Sequence, residues 1–510
     1  MTTPGASTVP YRGIVTAAVM LATIMQTLDS TIANVALPHM QGSFSVAQDE
    51  VTWVLTSYIV AAAIATPLTG WLASVYGTKK LLLLSIAGFT VASVLCGLAG
   101  SIYQMVIYRF LQGVCGAALV PLAQTILLTI YPRERQGHAM AIWGAGVMLG
   151  PIIGPTLGGW LTDEYSWRWV FYINVPIGFL AFAALWVFAR ETDHRPRGFD
   201  IFGFTMLSLA VGGLQMMLDR GEHKDWFASN EIRIEFGIAI AAFWVFLVHS
   251  ATTRQPFVNL KLFADRNFLA GNIMMFLVSV VIFSSTALLP VLLQTVMNYP
   301  VVTAGWLMTP RGVGTVASML IAGRLTNKVD VRLLMAIGFM CTAFSFWLPS
   351  GWTIAMGSGP VMIAGFGQGF GMGLMFVPLS LAAFGTLAPA YRNEATALFS
   401  LVRNVGGSIG ISIAENLLAH STQASHQAIG SAVTPYNHAL LDPLVQQFWN
   451  IHTTVGLGAL DIEVNRQAAM AAYLSCFTTM AVISLCMLPL LLMMKRIYPG
   501  QAAGAPHAMD

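Results

Sequence analysis

The sequence predicts an all-α integral membrane protein with about fourteen transmembrane helices, and three observations predict it. Hydrophobic residues make up 56% of the 510 and charged residues only 9%, with a mean hydropathy of +0.70. A soluble domain carries about 25% charged residues, so most of this surface faces something other than water. Apolar runs of the ~20 residues needed to cross a bilayer recur along the whole chain. The cationic residues fall almost entirely between those runs, and they alternate in density from one side to the other.

The runs lie near residues 13–37, 51–73, 80–98, 103–128, 138–161, 169–189, 201–219, 234–251, 267–296, 302–322, 332–349, 355–385, 393–417 and 467–494. The first shows no small-residue cleavage site and reads as a span, not as a signal peptide. With the N-terminus cytoplasmic, seventeen of the 25 Lys and Arg fall in inner segments and five in outer ones. The other three, Arg109, Arg311 and Arg403, lie within spans. A miscounted span would scramble this bias, so the positive-inside rule supports the count and places both termini in the cytoplasm.

The chain repeats itself. Gly70-Trp71-Leu72 opens an inner loop ending at Lys79, and Gly323-Arg324-Leu325 opens another ending at Arg332, an offset of 253 residues. This predicts a six-helix bundle at 1–190, two linker helices at 191–266, a second six-helix bundle at 267–495 and a cytoplasmic tail at 496–510. Repeated halves place a substrate site at their interface near the bilayer midplane. Residues 418–466 read as one long outer loop, a candidate docking element or a flexible connector.

Several motifs are specific. Leu28-Asp29-Ser30-Thr31-Ile32-Ala33-Asn34 lies in the first span, and Arg109-Phe110-Leu111-Gln112-Gly113 in the fourth. The fifth carries Gly146, Gly150-Pro151, Gly154-Pro155 and Gly158-Gly159, followed by Trp167-Arg168-Trp169-Val170-Phe171-Tyr172-Ile173-Asn174-Val175-Pro176. This combination resembles the major facilitator superfamily, and within it the fourteen-span drug:proton antiporters of the Emr/Qac type. More narrowly, it resembles the inner-membrane subunit of Emr-type tripartite multidrug pumps. The resemblance implies the major facilitator fold, a bacterial inner membrane, a periplasmic adaptor and an outer-membrane channel. Ser74 stands where the family usually has a loop Asp, so that acid's relay role does not carry over.

Ionisable groups inside a membrane default to function, because a charge at a helix centre costs about 2.5–3.5 kcal/mol on insertion scales. Asp29 and Arg109 sit about 12 and 9 Å from the outer ends of their spans. They can meet if both spans line the central cavity, as the family implies, and there they form a proton-coupling pair or a fixed brace between helices. Glu415, Glu394 and Asp219 read as span-end groups. Arg311 and Arg403 lie about 14 and 15 Å deep, with roles left open. The Gly146–Gly159 run reads as close helix packing and, by resemblance, as the antiporter seal. The resemblance turns spans one, four, nine and twelve toward the cavity. They offer Met25, Gln26, Asn34, Tyr108, Gln112, Asn272, Met275, Phe276, Gln368, Met372, Met375 and Phe376, a Met- and aromatic-rich set suited to varied amphiphiles.

Other function classes fit poorly. The five cysteines read as small apolar residues, and the histidines show no ligand spacing, so no metal, cofactor or enzymatic centre is implied. There is no phosphate-binding G-x-x-x-x-G-K-[ST] loop for an ATP-driven pump, and the small net charge of +3 offers nucleic acid nothing. Proton-coupled drug export remains, with export of a single metabolite, such as a siderophore or an amino-acid derivative, as the alternative.

Overall fold

The structure, a computed structural model, describes residues 11–191, 198–326, 328–388, 391–434 and 436–495. The predicted tail 496–510, with Arg195, Arg197 and Arg496 of the charge count, lies outside the described residues. Helices dominate, and among the described residues there is no β-strand. In lipid a chain must satisfy its backbone polar groups internally, and helices do so within each segment.

The first half comprises α1 (Arg12–Phe44), α2 (Gln48–Tyr76), α3 (Thr78–Leu98), α4 (Ile102–Gly116), α5 (Leu119–Ile130), α6 (Gln136–Glu164), α7 (Trp169–Tyr172) and α8 (Asn174–Phe188). Helices α9 (Ile201–Arg220) and α10 (Asn230–Thr252) follow. The second half holds α11 (Arg266–Val291), α12 (Val301–Leu325), α13 (Val331–Trp347), α14 (Gly359–Gly385), α15 (Arg392–Ser431), α16 (Pro443–Gln446) and α17 (Thr454–Cys486). Helices α4 and α5 make one crossing, Ile102–Ile130, as do α7 and α8, Trp169–Phe188. The first break falls at Ala117–Ala118, where Pro121 has no N–H for the Ala117 carbonyl and crowds it. Among the described residues thirteen crossings are long and apolar enough to span a bilayer. Helix α12 packs among them as the fourteenth, its apolar run diluted by Pro310, Arg311 and Arg324.

The sequence repeat appears as two crossed contacts between the halves. Gly70, at the end of α2, lies against the backbone of Asn393 and Glu394 where α15 starts. Gly323, at the end of α12, lies against Gly137 where α6 starts. Both joints sit at the end of the molecule from which α1 departs. Thr125 and Thr396 hydrogen-bond there at 2.7 Å, and Arg392 donates to the Leu128 carbonyl at 3.0 Å. Helix α9 is tied to both halves: Thr56 of α2 donates to Asp219, and Ser412 of α15 donates to the Leu218 carbonyl at 2.9 Å.

The expected loop at 418–466 is largely helical instead. Helix α15 continues to Ser431, 40 residues in all, or about 60 Å, twice the ~30 Å hydrocarbon thickness. Helix α17 begins at Thr454, well before the apolar run at 467. Hydropathy marks where a helix leaves the membrane, not where it ends. The projecting arms and their connector share a small apolar core of Leu440, Leu460 and Val464, with Ile429, Val445 and Trp449 packed against it.

Candidate functional site

Asp29 is fully buried, at 0% exposure, and Arg109 is 1% exposed. The guanidinium donates through Nη1 to Asp29 Oδ2 at 2.6 Å and to Gln112 Oε1 at 2.7 Å, and through Nε to the Val54 carbonyl at 3.1 Å. The second carboxylate oxygen, Oδ1, accepts from Gln112 Nε2 at 2.9 Å and from Asn174 Nδ2 at 2.8 Å. Both amides also donate to Ser93 Oγ, at 2.7 and 3.2 Å. The Tyr58 ring lies 4.3 Å below the guanidinium carbon, a cation–π contact, and its hydroxyl accepts from Gln26 at 3.0 Å. Five helices therefore meet at this ion-pair cluster: α1, α2, α3, α4 and α8. A buried ion pair holds only when its remaining lone pairs and N–H groups are satisfied, and here each carboxylate oxygen has partners.

This geometry joins the two predicted residues but moves them. The sequence reading had them face a central cavity, whereas the pair points into the first half, toward α2, α3 and α8. The cause is spacing on α4: Met105, Arg109, Gln112 and Gly116 form its buried face, at i, i+4, i+7 and i+11. Gln112, expected at the substrate surface, belongs to this ion-pair cluster. Asn174, Ser93 and Tyr58 were missed. Asn174 was legible as a lone amide inside the Tyr172–Pro176 motif; Ser93 and Tyr58 carried no distinguishing signal.

The glycine run of α6 sets the height of Asp29. A Cβ on Gly150 would lie 2.6 Å from the Leu28 backbone nitrogen, and one on Gly158 would lie 2.7 Å from Ile32 Cγ1. Gly154 rests on Thr31, whose hydroxyl donates to the Gly150 carbonyl at 3.2 Å. Every fourth residue of α6 thus faces α1, while Gly137 and Gly144 face α12 and α14 of the other half. Gly159 is off this seam, its nearest neighbour 4.0 Å away.

The remaining predicted substrate residues divide. Phe376 stacks on Trp143 of α6 at 5.6 Å, across the junction of the halves. Met372 and Met375 are buried in the second half, Met372 against Arg311 and Met375 against Gly338 of α13. Met25, Asn272, Met275 and Gln368 are buried, Gln26, Tyr108 and Phe276 half-buried, and Asn34 exposed. An apolar cavity of about 370 Å³ lies elsewhere, lined by residues of α2, α4 and α9 including Trp53, Phe110 and Met216. Ser74 donates to the Trp71 carbonyl of its own helix at 2.7 Å. A different acid, Glu191, receives the backbone N–H groups of Lys79 and Lys80 at 3.1 and 3.2 Å, capping the start of α3.

The family model of the Major Facilitator Superfamily matches residues 19–411. The chain belongs to this superfamily. Among curated relatives, the Fatty acid resistance protein FarB of Neisseria gonorrhoeae is 35% identical over 502 residues, covering 97% of each chain. The Multidrug export protein EmrB of Escherichia coli (strain K12) is 38% identical over 427 residues, 83% of each chain. The Multidrug resistance protein B homolog of Mycobacterium tuberculosis (strain H37Rv) is 33% identical, covering 80% of this chain and 76% of its own. Of solved structures, the human organic anion transporter MFSD10 superposes with a TM-score of 0.61 at 13% identity, over 94% of this chain and 100% of that one. A bacterial homologue of the human lysosomal transporter Spinster gives 0.54 at 16%, over 96% and 98%. These structural likenesses establish the fold.

Proposed function

We propose that this protein is a proton-coupled antiporter of a bacterial inner membrane, exporting hydrophobic or amphiphilic drugs by alternating access. The bundles 1–190 and 267–495 rock about the crossed joints, with 191–266 as a linker. The names of the relatives, multidrug export and fatty acid resistance, support export of apolar compounds. The charge bias supports cytoplasmic termini, which makes the joined end of the halves the cytoplasmic one.

The Asp29 cluster carries the reading. Protonating a carboxylate that accepts from three donors weakens those hydrogen bonds, because a neutral carboxyl is a poorer acceptor than the anion. Protonation also removes the charge that balances Arg109, whose burial then becomes costly. Because the donors come from α4 and α8, a proton at Asp29 biases the packing of the first half. A substrate that prefers the re-packed half is thereby linked to the proton, since such coupling is reciprocal. Energy from the gradient is ample, at about 2.3 kcal/mol per charge per 100 mV.

As the inner-membrane part of a tripartite pump, the protein would hand its substrate to a periplasmic adaptor and an outer-membrane channel, and the helical projection of α15 and α17 is the candidate adaptor surface. Deleting residues 434–457 tests it: loss of co-purification with the adaptor is expected, and retained assembly rejects the docking role. A drug-susceptibility panel in a pump-deficient strain tests export itself, with protection against chemically unrelated amphiphiles expected. Protection against a single compound would favour the metabolite exporter.

A further inference from the structure

The two halves can be compared residue by residue, because their glycine contacts repeat. Gly150 and Gly154 rest on Thr27 and Thr31 of α1, and Gly406 and Gly410 rest on Phe276 and Val280 of α11. A Cβ at Gly113 would strike the Tyr58 carbonyl, and one at Gly369 would strike the Arg311 carbonyl. These pairs align Asp29 with Val278, Tyr58 with Arg311, Arg109 with Gly365 and Gln112 with Gln368. The first half buries a balanced acid and base at this level. The second half buries a cation on α12 and has apolar Val278, 1% exposed, at the place of the acid.

Arg311 is 7% exposed and held from two directions. Its Nη2 donates to Ser285 Oγ at 2.9 Å and the Ile282 carbonyl at 3.4 Å, both on α11, and lies 3.8 Å from Met372 Sδ on α14. Its Nη1 has no partner among the described residues, and no acid pairs with the guanidinium there. On α14, Gln368 is 1% exposed and its Oε1 is likewise unpartnered. Arg109 spends its donors on an acid, an amide and a carbonyl, whereas Arg311 meets a hydroxyl and a carbonyl but no acid among the described residues. An arginine buried inside a membrane protein with a spare N–H and no counter-charge is costly unless an anion visits it.

We propose that Arg311 recognises an acidic group on the transported molecule, so that the protein selects amphiphiles bearing one carboxylate over neutral ones of the same shape. The proposal rests on the export reading above and names its substrate class. Met372, whose sulfur lies 3.8 Å from Nη2, offers the tail an apolar contact, and the free Nη1 takes the acid through a charge-assisted hydrogen bond. Helix α12 contacts α6 of the other half, so separation of the halves exposes the site to an incoming anion.

The test compares dodecanoate with dodecan-1-ol, which share a chain and differ in charge. The full-length protein is reconstituted in phosphatidylcholine nanodiscs and binding is read from tryptophan fluorescence. Wild type is expected to prefer dodecanoate about tenfold to a hundredfold, the range for a hydrogen bond to a charged group. Arg311→Gln should bring that preference close to one with dodecanol affinity unchanged, and Arg311→Lys should retain part of it. A wild type without preference, an Arg311→Gln that keeps it, or a variant that loses both ligands equally overturns the proposal. Should Arg311→Gln fail to fold, the wild-type ratio and Arg311→Lys still decide. In proteoliposomes with an imposed pH gradient, export of a neutral amphiphile without preference for the acid sinks this inference alone. Absence of any gradient-driven export sinks the export reading.

Discussion

Substituting Gly150 by alanine should damage coupling far more than its single methyl group suggests. The added Cβ would sit 2.6 Å from the Leu28 nitrogen and closer still to the Thr27 carbonyl carbon, both backbone atoms. Carbon contacts relax at about 3.5–4.0 Å, so α1 and α6 must part by about 1 Å. Overpacking of this kind costs about 1–3 kcal/mol. The displaced backbone is that of Thr27 and Leu28, which directly precede Asp29, whose contact with Arg109 is 2.6 Å. The shift therefore falls on the ion pair itself. Gly159→Ala is the control on the same helix, since its Cβ meets nothing nearer than 4.0 Å. Thermal unfolding in detergent and substrate-driven proton flux in proteoliposomes should both fall for Gly150→Ala and remain wild-type-like for Gly159→Ala. Wild-type flux in Gly150→Ala would refute the view that the glycine seam positions Asp29.

Two further outcomes follow from named contacts. Arg109→Lys keeps the charge but cannot serve the Val54 carbonyl, Gln112 and Asp29 together; it should cost about 1–3 kcal/mol in thermal unfolding and reduce flux, and unchanged values would count against the fork geometry. Asp200, just before α9, is partly buried, which raises its carboxyl, but hydrogen bonds from Gly203 N–H, His249 and Phe257 N–H outweigh this and hold it below the usual range. A depressed pKa stabilises fully above the unfolded value of about 3.9 and loses that stabilisation as pH falls through the folded one. Acid unfolding of wild type below about pH 4 should thus be steeper than that of Asp200→Asn, and superimposable curves would contradict it.

The legibility of the sequence was uneven for physical reasons. Crossings were readable because lipid forces each apolar run to be long and to end near charge. The repeat at 253 residues was readable at Gly70 and Gly323 because both glycines meet backbone of the opposite half and tolerate no side chain. Asp29 and Arg109 stood out because a membrane leaves ionisable groups so few places. Their facing did not, since an apolar helix lacks the polar stripe that marks a solvated side in soluble proteins. That is why Gln112 was assigned to substrate and Asn174 to a motif alone. The helical continuation of α15 past residue 417 was hidden for a related reason: nothing in its polar sequence obliges a helix to stop at the membrane surface.

Proton release on substrate addition tests the central claim most directly. Purified wild type and Asp29→Asn, both confirmed as folded, are placed in weakly buffered detergent with a pH-sensitive dye, and an exported amphiphile is added. Asparagine preserves the size of the side chain and removes the titratable proton. Wild type should release protons in proportion to bound substrate, and Asp29→Asn should release none. Equal release from both proteins would place the coupling elsewhere and contradict the account.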